Sequence, residues 1–261
     1  MKIVTWNVNS IRSRFESAKK VIESLKPDVL CLQEIKVIDD LFPYDFFKSH
    51  GYNYNAVRGQ TSYNGVAILS KIPFLLQENI SFKKEARHLS IKIKDVEIHN
   101  LYVPAGGDIP DPELNPKFAD KLEFIDSVKK WFKYNKKATD KIVVLGDLNV
   151  APLENDVWSH KQLLKVVSHT PIEVEKYNNL QNSLGFFDAN RHFISKEEKL
   201  YSWWSYRNRD WRKSNRGRRL DHILLTESLK KHLKFANIYK DVRDYERPSD
   251  HVPVLIKLEC A

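Results

Sequence analysis

Ile142-Val143-Val144-Leu145-Gly146-Asp147-Leu148-Asn149 decides the reading of this chain. Four consecutive apolar, mostly β-branched residues describe a short strand buried on both faces. Gly146 permits a tight exit from that strand, and the i, i+2 spacing of Asp147 and Asn149 turns both polar side chains to one side of an extended segment. Taken alone, Gly-Asp is an ordinary turn. Four similar junctions elsewhere in the chain give it weight. Asn7 follows the run from Lys2, Glu34 follows Val29–Leu32 and Gln33, Asp221 opens a run after Arg219-Leu220, and Asp250-His251 precedes Val252-Pro253-Val254.

Outward from these junctions the chain alternates short β runs with longer helical ones. Lys2–Val8, Val29–Leu32, Tyr52–Val57, Val66–Ser70, Leu89–Ile93, Val96–Tyr102, Ile142–Leu145, Arg219–Leu225 and His251–Leu258 read as strands. Ser10 is positioned to cap a helix with the apolar face Ile11, Phe15, Ala18, Ile22 and Leu25, closed by Pro27. The clearest helix covers residues 115–134, a short one falls near 227–233, and 152–175 reads as irregular or partly helical. No linker, repeat or low-complexity tract divides the chain, so residues 1–261 are expected to form one domain of mixed sheets with helices outside. Asn7, Glu34 and Asp147 follow strands, whereas Asp221 and Asp250 precede them. Antiparallel neighbours would bring all five to a common rim. Four carboxylates, two amides and a histidine gathered there make a hard-cation site with a base beside it, suited to phosphodiester chemistry.

Bulk composition agrees. A chain of 261 residues with 42% hydrophobic and 30% charged content can bury a core. The 43 basic against 34 acidic residues leave a net charge of +9, which favours a polyanionic partner. Lys199 to Arg219 holds eight basic residues and one acid, interleaved with Tyr201, Trp203, Trp204, Tyr206 and Trp211. Such a stretch is either a solvated charge run beside core aromatics or a groove that neutralises phosphates and stacks on bases. Cys31 and Cys260 have no metal-ligand spacing. No apolar run reaches the roughly 18 residues of a membrane span, and the N-terminus reads directly as a strand. These features predict a cytoplasmic protein with reduced thiols and no membrane association.

The ordered motifs resemble those of the exonuclease III / AP endonuclease family, within the wider fold that includes deoxyribonuclease I. They are Thr5-Trp6-Asn7-Val8-Asn9, Leu32-Gln33-Glu34-Ile35-Lys36, Tyr63-Asn64-Gly65-Val66-Ala67-Ile68-Leu69-Ser70, Asn100-Leu101-Tyr102-Val103-Pro104, Leu145 to Pro152, Arg219-Leu220-Asp221-His222 and Ser249-Asp250-His251-Val252-Pro253. The resemblance implies an α/β four-layer sandwich, two mixed β-sheets packed face to face with helices outside. It also implies a monomer that uses Mg²⁺, with Mn²⁺ as an alternative, to cut duplex DNA 5′ of abasic sites and to trim blocked 3′ ends. Carried over by position, Glu34 would hold the metal with Asp250 and Asn7 alongside, and Asp147 and Asn149 also at the ion. Asp147 would activate water, Asn149 would position it, His251 oriented by Asp221 would polarise the phosphate, and Tyr102 would hydrogen-bond it. Trp203 and Leu220 would line a pocket for the flipped-out abasic sugar. Arg216, Arg218, Tyr63 and Asn64 are the remaining expected DNA contacts. Ser10, Ile35, Ala105 and Arg218 depart from the residues many members carry at these places. Rival readings are an unspecific deoxyribonuclease or a lipid-headgroup phosphatase on the same fold, and a catalytically silent DNA-binding module.

Overall fold

The computed structural model describes residues 1–208 and 210–259, so Cys260 lies outside the described residues. The apolar runs form two six-stranded mixed sheets. Edge to edge, the first is Leu233–Ile238, Val254–Leu258, Lys2–Asn7, Val29–Gln33, Val66–Ser70 and Tyr54–Arg58. The second is Leu75–Leu76, His88–Ile93, Val96–Tyr102, Lys141–Asp147, Asp221–Leu225 and Phe187–Asp188. One apolar cluster joins the facing sides of both sheets, including Ile3, Cys31 and Ile68 from the first with Ile98, Val143 and Ile223 from the second. The helix Phe15–Leu25 buries Ala18, Val21, Ile22 and Leu25 on the outer side of the first sheet. Helices Pro116–Asn135 and Pro171–Asn182 cover the second, through Phe124, Ile125, Val128 and Phe132 with Tyr177 and Leu180. The result is the four-layer α/β sandwich the motifs implied.

Register is what builds the rim. In the second sheet Tyr102 pairs with Asp147, and Asp147 pairs with Asp221 across the antiparallel neighbour. Three polar residues thus stand side by side at the ends of three adjacent strands. In the first sheet Asn7 pairs with Gln33 in the parallel pair Lys2–Asn7 and Val29–Gln33, with Glu34 one residue further on. A buried polar bridge fixes the two sheets relative to each other. Gln33 Nε2 donates to Thr5 Oγ1 at 2.9 Å and to Asn100 Oδ1 at 2.6 Å, and Asn100 Nδ2 donates to the Leu32 and Ala67 carbonyls at 3.0 Å each. Inside a low-dielectric core such a network is directional in a way apolar contacts are not, so it holds the sheets in one alignment, although Gln33 Oε1 itself is buried without a partner. Gly146 is required for the same packing: its φ is +134°, and a Cβ there would stand 1.9 Å from the Leu101 carbonyl oxygen.

Two sequence expectations need correction, and two are refined. Ser10 caps no helix; it sits at φ +81°, and a 3₁₀ turn at Arg12–Arg14 leads into Phe15–Leu25 without a side-chain cap. The stretch 152–175, expected to be irregular or partly helical, is partly helical, and its last helix, Pro171–Asn182, runs beyond it, with Thr170 and Glu173 closing a capping box. Leu233–Ile238 is an edge strand that the pattern did not show, with an irregular register between Leu233 and Phe235. The short helix expected near 227–233 is present, as a 3₁₀ helix over Glu227–His232. Among the described residues no helix is long and apolar enough to cross a membrane.

Candidate active site

Strand ends from both sheets converge on an open cleft of about 460 Å³. Glu34, Tyr102, Asp147, Asn149, Asp250 and His251 line it, and Trp203, Arg218, Leu220 and Val166–Ser168 form a flanking wall. Asn7 and Asp221, both fully buried, stand behind that surface. The chain reaches the cleft through uncommon backbone geometry: Asn9, Glu34, Lys36 and Asn149 all hold φ between +47° and +54°. Left-handed conformations in non-glycine residues cost energy and persist where the surroundings fix them.

Asn7 is the hub. Its Nδ2 donates to Glu34 Oε1 and to Asp147 Oδ2, each at 2.9 Å, while its Oδ1 accepts the Asn9 backbone N–H at 3.0 Å. One amide therefore spans two carboxylates from different sheets. Asp147 also accepts from the Asn149 backbone N–H at 3.0 Å and from Asn149 Nδ2 at 3.1 Å. Asn149 Nδ2 donates in addition to the Val103 carbonyl at 2.9 Å, leaving its oxygen for the cleft. His251 is held on three sides. Its Nδ1 donates to Asp221 Oδ2 at 2.8 Å, its carbonyl accepts from Trp6 Nε1 at 3.0 Å, and its Nε2 lies 3.6 Å from Asp147 Oδ2. Ser202 Oγ donates to Asp221 Oδ2 at 2.6 Å and accepts the Asp221 backbone N–H at 3.0 Å, so the carboxylate that orients the imidazole is itself fixed.

The electrostatics follow from burial and neighbours. Burial alone would drive the His251 pKa down, but Asp221 and Asp147 overcome it and push it up to about 10, so the ring is a cation at neutral pH. Burial drives the Asp147 carboxyl up; His251 opposes this, Asp221 adds to it, and it reaches about 7. Such a group can take up or release a proton near neutrality. Burial also works against the charge of Glu34, yet Lys36 Nζ at 2.8 Å and the Asn7 amide hold it below the usual range. Asp250 is likewise held low against its burial, by His251, by Asn9 Nδ2 on Oδ1 at 2.9 Å and by Trp203 Nε1 on Oδ2 at 2.9 Å. Tyr102 is raised well above its ordinary value by burial and by Glu34 and Asp147, so it is a phenol that donates rather than a base.

Part of the flanking wall is apolar. Leu220 belongs to a small cluster with Ala151, Val157 and Leu163, against which Trp203 and Val166 pack. The Arg218 guanidinium lies 5.2 Å from the centre of the Trp203 ring and donates to the Val167 carbonyl at 2.9 Å and to Ser168 Oγ at 2.8 Å. Three expected DNA contacts are not part of the cleft lining. Arg216 stacks over Trp158 at 4.8 Å, Tyr63 is exposed on a separate loop, and Asn64 is buried, with Nδ2 donating to Gln60 Oε1 at 3.1 Å and its carbonyl receiving the Lys36 N–H. Arg219, counted in the basic stretch, is 1% exposed and spends its guanidinium on Asp156 and Asp188. Asn9, Ser202, Lys36 and Trp6 were not singled out as site residues; Asn9, Lys36 and Trp6 adjoin the motifs that carry Asn7 and Glu34, and Ser202 precedes Trp203.

Oxygen donors dominate the cleft. Glu34 and Asp250 are ionised, Asp147 and Asn149 line the same cleft, and no thiolate is present among the described residues, a donor set that fits a small hard divalent cation. The buried trio Asp147, Asp221 and His251 also brings ligand-capable atoms within 4.8 Å of one another. There the Asp221–His251 bond already uses one ring nitrogen and the ring is a cation, which suits a proton relay.

A fold of two facing sheets, with carboxylates, amides and an Asp-oriented histidine at one rim, is that of a phosphoesterase. Residues 4–251 match the model of the Endonuclease/Exonuclease/phosphatase family. The chain is 31% identical to the exodeoxyribonuclease III of Haemophilus influenzae, over 97% of this chain and 98% of that protein. Among solved structures, an AP endonuclease from Archaeoglobus fulgidus superposes with a TM-score of 0.92 at 31% identity, covering all of both chains. A 3′ phosphatase from Neisseria, solved with a product DNA hairpin, gives 0.89 at 29% identity, again over both whole chains. This protein belongs to the endonuclease/exonuclease/phosphatase superfamily and, within it, to the exonuclease III / AP endonuclease family.

Proposed function

We propose that this chain is a DNA repair nuclease that hydrolyses the phosphodiester 5′ to abasic sites in duplex DNA and trims 3′ ends. The observation that carries this reading is the Asn7 amide bridging Glu34 and Asp147 beside the Asp221–His251 pair, within a cleft walled by Trp203 and Leu220. Asp147, titrating near neutrality and held by Asn149, is the group to orient and deprotonate the attacking water. Cationic His251 presents Nε2 toward the cleft and can donate to a non-bridging phosphate oxygen, where negative charge grows in the transition state. Tyr102 adds a second neutral donor.

Glu34 and Asp250 would hold Mg²⁺, with Mn²⁺ as the alternative; Asp147 and Asn149 line the same cleft, and Asn7 stands behind, fixing Glu34 through its Nδ2. Bound there, the ion supplies charge neutralisation at the phosphate and stabilisation of the leaving oxygen. The Trp203–Leu220–Val167 wall offers an abasic sugar an apolar rest, and a nucleotide without a base costs less to extrude than a stacked one. We read the protein as a monomer acting on duplex DNA in the cytoplasm, as its sequence leads us to expect.

The test separates the two activities. A 3′-labelled duplex with a blocked 3′ end and a duplex with one internal abasic analogue are each incubated at fixed ionic strength, since DNA affinity of a basic protein depends on salt. The proposal expects a single product from the second duplex and release of the block from the first. Scattered internal cuts in an undamaged duplex would replace it with an unspecific deoxyribonuclease.

A further inference from the structure

Lys121, on the helix Pro116–Asn135, is fully buried together with Glu173 of the helix Pro171–Asn182. An isolated ion pair at this depth is weak evidence of stability, because desolvation offsets the attraction. What distinguishes this pair is where its remaining hydrogen bonds go. Lys121 Nζ donates to the Asn149 carbonyl at 2.7 Å, to the Ala105 carbonyl at 3.3 Å and to Glu173 Oε1. Glu173 accepts the Ser168 backbone N–H on both oxygens at 2.9 Å, and the Thr170 backbone N–H on Oε2 at 3.1 Å.

Three loops are thereby tied to one ammonium–carboxylate pair. The first follows Tyr102, the second contains Asn149, and the third contains Val167 and Ser168 of the cleft wall. Each of the three ties has a left-handed residue at it: Gly106 at φ +91° (with Gly107 at φ +70° beside it), Asn149 at φ +53° and Ser168 at φ +89°. Two of the three are not glycine, so those conformations need an external hold. A Cβ at Gly106 would stand 2.9 Å from Lys121 Cδ, which shows how closely the stem is enclosed. A compact ammonium with three rotatable hydrogens can meet three separately placed acceptors; a planar guanidinium cannot do so in the same volume.

We propose that Lys121 and Glu173 are positioning residues of the reaction, pinning the backbone of Asn149 and of the Ser168 wall so that the water-orienting amide and the sugar pocket keep their mutual placement. Neither touches the substrate. This inference rests on the nuclease reading above. Misplacing a reacting group by about 1 Å can cost on the order of a hundredfold in rate without loss of binding. The pair therefore acts on turnover and leaves DNA affinity alone.

The experiment uses the full chain and three variants: Lys121→Met, the double variant Lys121→Met/Glu173→Leu, and Glu173→Gln, which keeps the shape and a carbonyl acceptor. Thermal unfolding, DNA affinity in chelator by fluorescence anisotropy, and single-turnover cleavage of an abasic duplex are measured for each. Lys121→Met leaves Glu173 buried without its cation and should lose stability, whereas the double variant, with both charges gone, should recover most of it. The proposal expects the double variant to bind DNA like the wild type yet cleave about 30- to 100-fold more slowly, and Glu173→Gln to show the same split at smaller size. Cleavage at the wild-type rate by either folded variant would overturn it, as would a rate loss that only follows a loss of DNA affinity. An inactive wild type in the same assay would strike at the nuclease reading instead.

Discussion

Replacing Asp147 by Asn should remove cleavage and, in the metal-free protein, raise stability. The Asp147 carboxyl is 1% exposed, and its pKa is lifted from the ordinary 3.8 to about 7, mainly by burial. Keeping it ionised at pH 8 therefore costs the fold about 4 kcal/mol, at about 1.4 kcal/mol per pH unit. Asparagine removes that cost and introduces a smaller one. Both oxygens of Asp147 accept hydrogen bonds, one from the Asn149 backbone N–H and the other from the Asn7 and Asn149 side chains. The new NH₂ must face a donor, and its better choice is the position that sacrifices a single bond, at about 1–3 kcal/mol. The net gain is about 2 kcal/mol, or about 4–8 °C in Tm for a chain of this size. A carboxyl whose folded pKa is raised contributes most at low pH and loses that contribution as pH rises from about 4 to about 7. The advantage of the variant should thus be near zero or reversed at pH 4 and full above pH 7. Scanning calorimetry in chelator at both pH values, beside a cleavage assay in Mg²⁺, measures both halves. Loss of a general base should slow cleavage by about 10³-fold. A Tm difference that is negative at pH 8, or equal at the two pH values, would refute the electrostatic reasoning; retained cleavage would refute the role.

Three other perturbations probe different parts of the site. Arg219→Met leaves buried Asp188 without its guanidinium and Asp156 with Arg191 as its remaining arginine partner, and should cost about 3–5 kcal/mol in urea unfolding at pH 7. Because Asp188 is held well below the usual carboxylate range in the intact protein, burial notwithstanding, through Arg219 above all, that deficit should shrink as the medium is acidified. Glu34→Gln should weaken Mg²⁺ binding tenfold or more, on the order of 1.4 kcal/mol, in calorimetric titration of the DNA-free protein, with Tm nearly unchanged. Trp203→Ala opens the apolar wall and removes a donor to Asp250, so the rate on an abasic duplex should fall relative to the rate of 3′ trimming.

The rim was legible in the sequence because strand ends advertise themselves. Asp147 follows four apolar residues and Asp221 opens another such run; antiparallel pairing of those runs places the two opposite each other. Asn7 and Glu34 were readable for the same reason in the other sheet. What stayed hidden depends on partners remote in sequence. Arg219 looks like one more cation in a basic stretch until Asp156, 63 residues away, is found beside it. Lys121 is one polar residue on an amphipathic helix until Glu173, 52 residues on, closes over it. Ser10 has the chemistry of a helix cap, but its positive φ places it before a 3₁₀ turn instead. The helix at Pro171 did carry a local signal, Thr170 followed by Glu173, which the polar composition of the surrounding segment masked.

The central claim is that this rim cuts DNA beside a missing base with a divalent ion. A 5′-labelled duplex carrying one stable abasic analogue tests it most directly, run beside an undamaged duplex, in Mg²⁺ and in chelator. The account predicts a single Mg²⁺-dependent cut immediately 5′ of the lesion with the control intact. Cleavage that persists in chelator, or no cut at the lesion under any divalent ion, would contradict it.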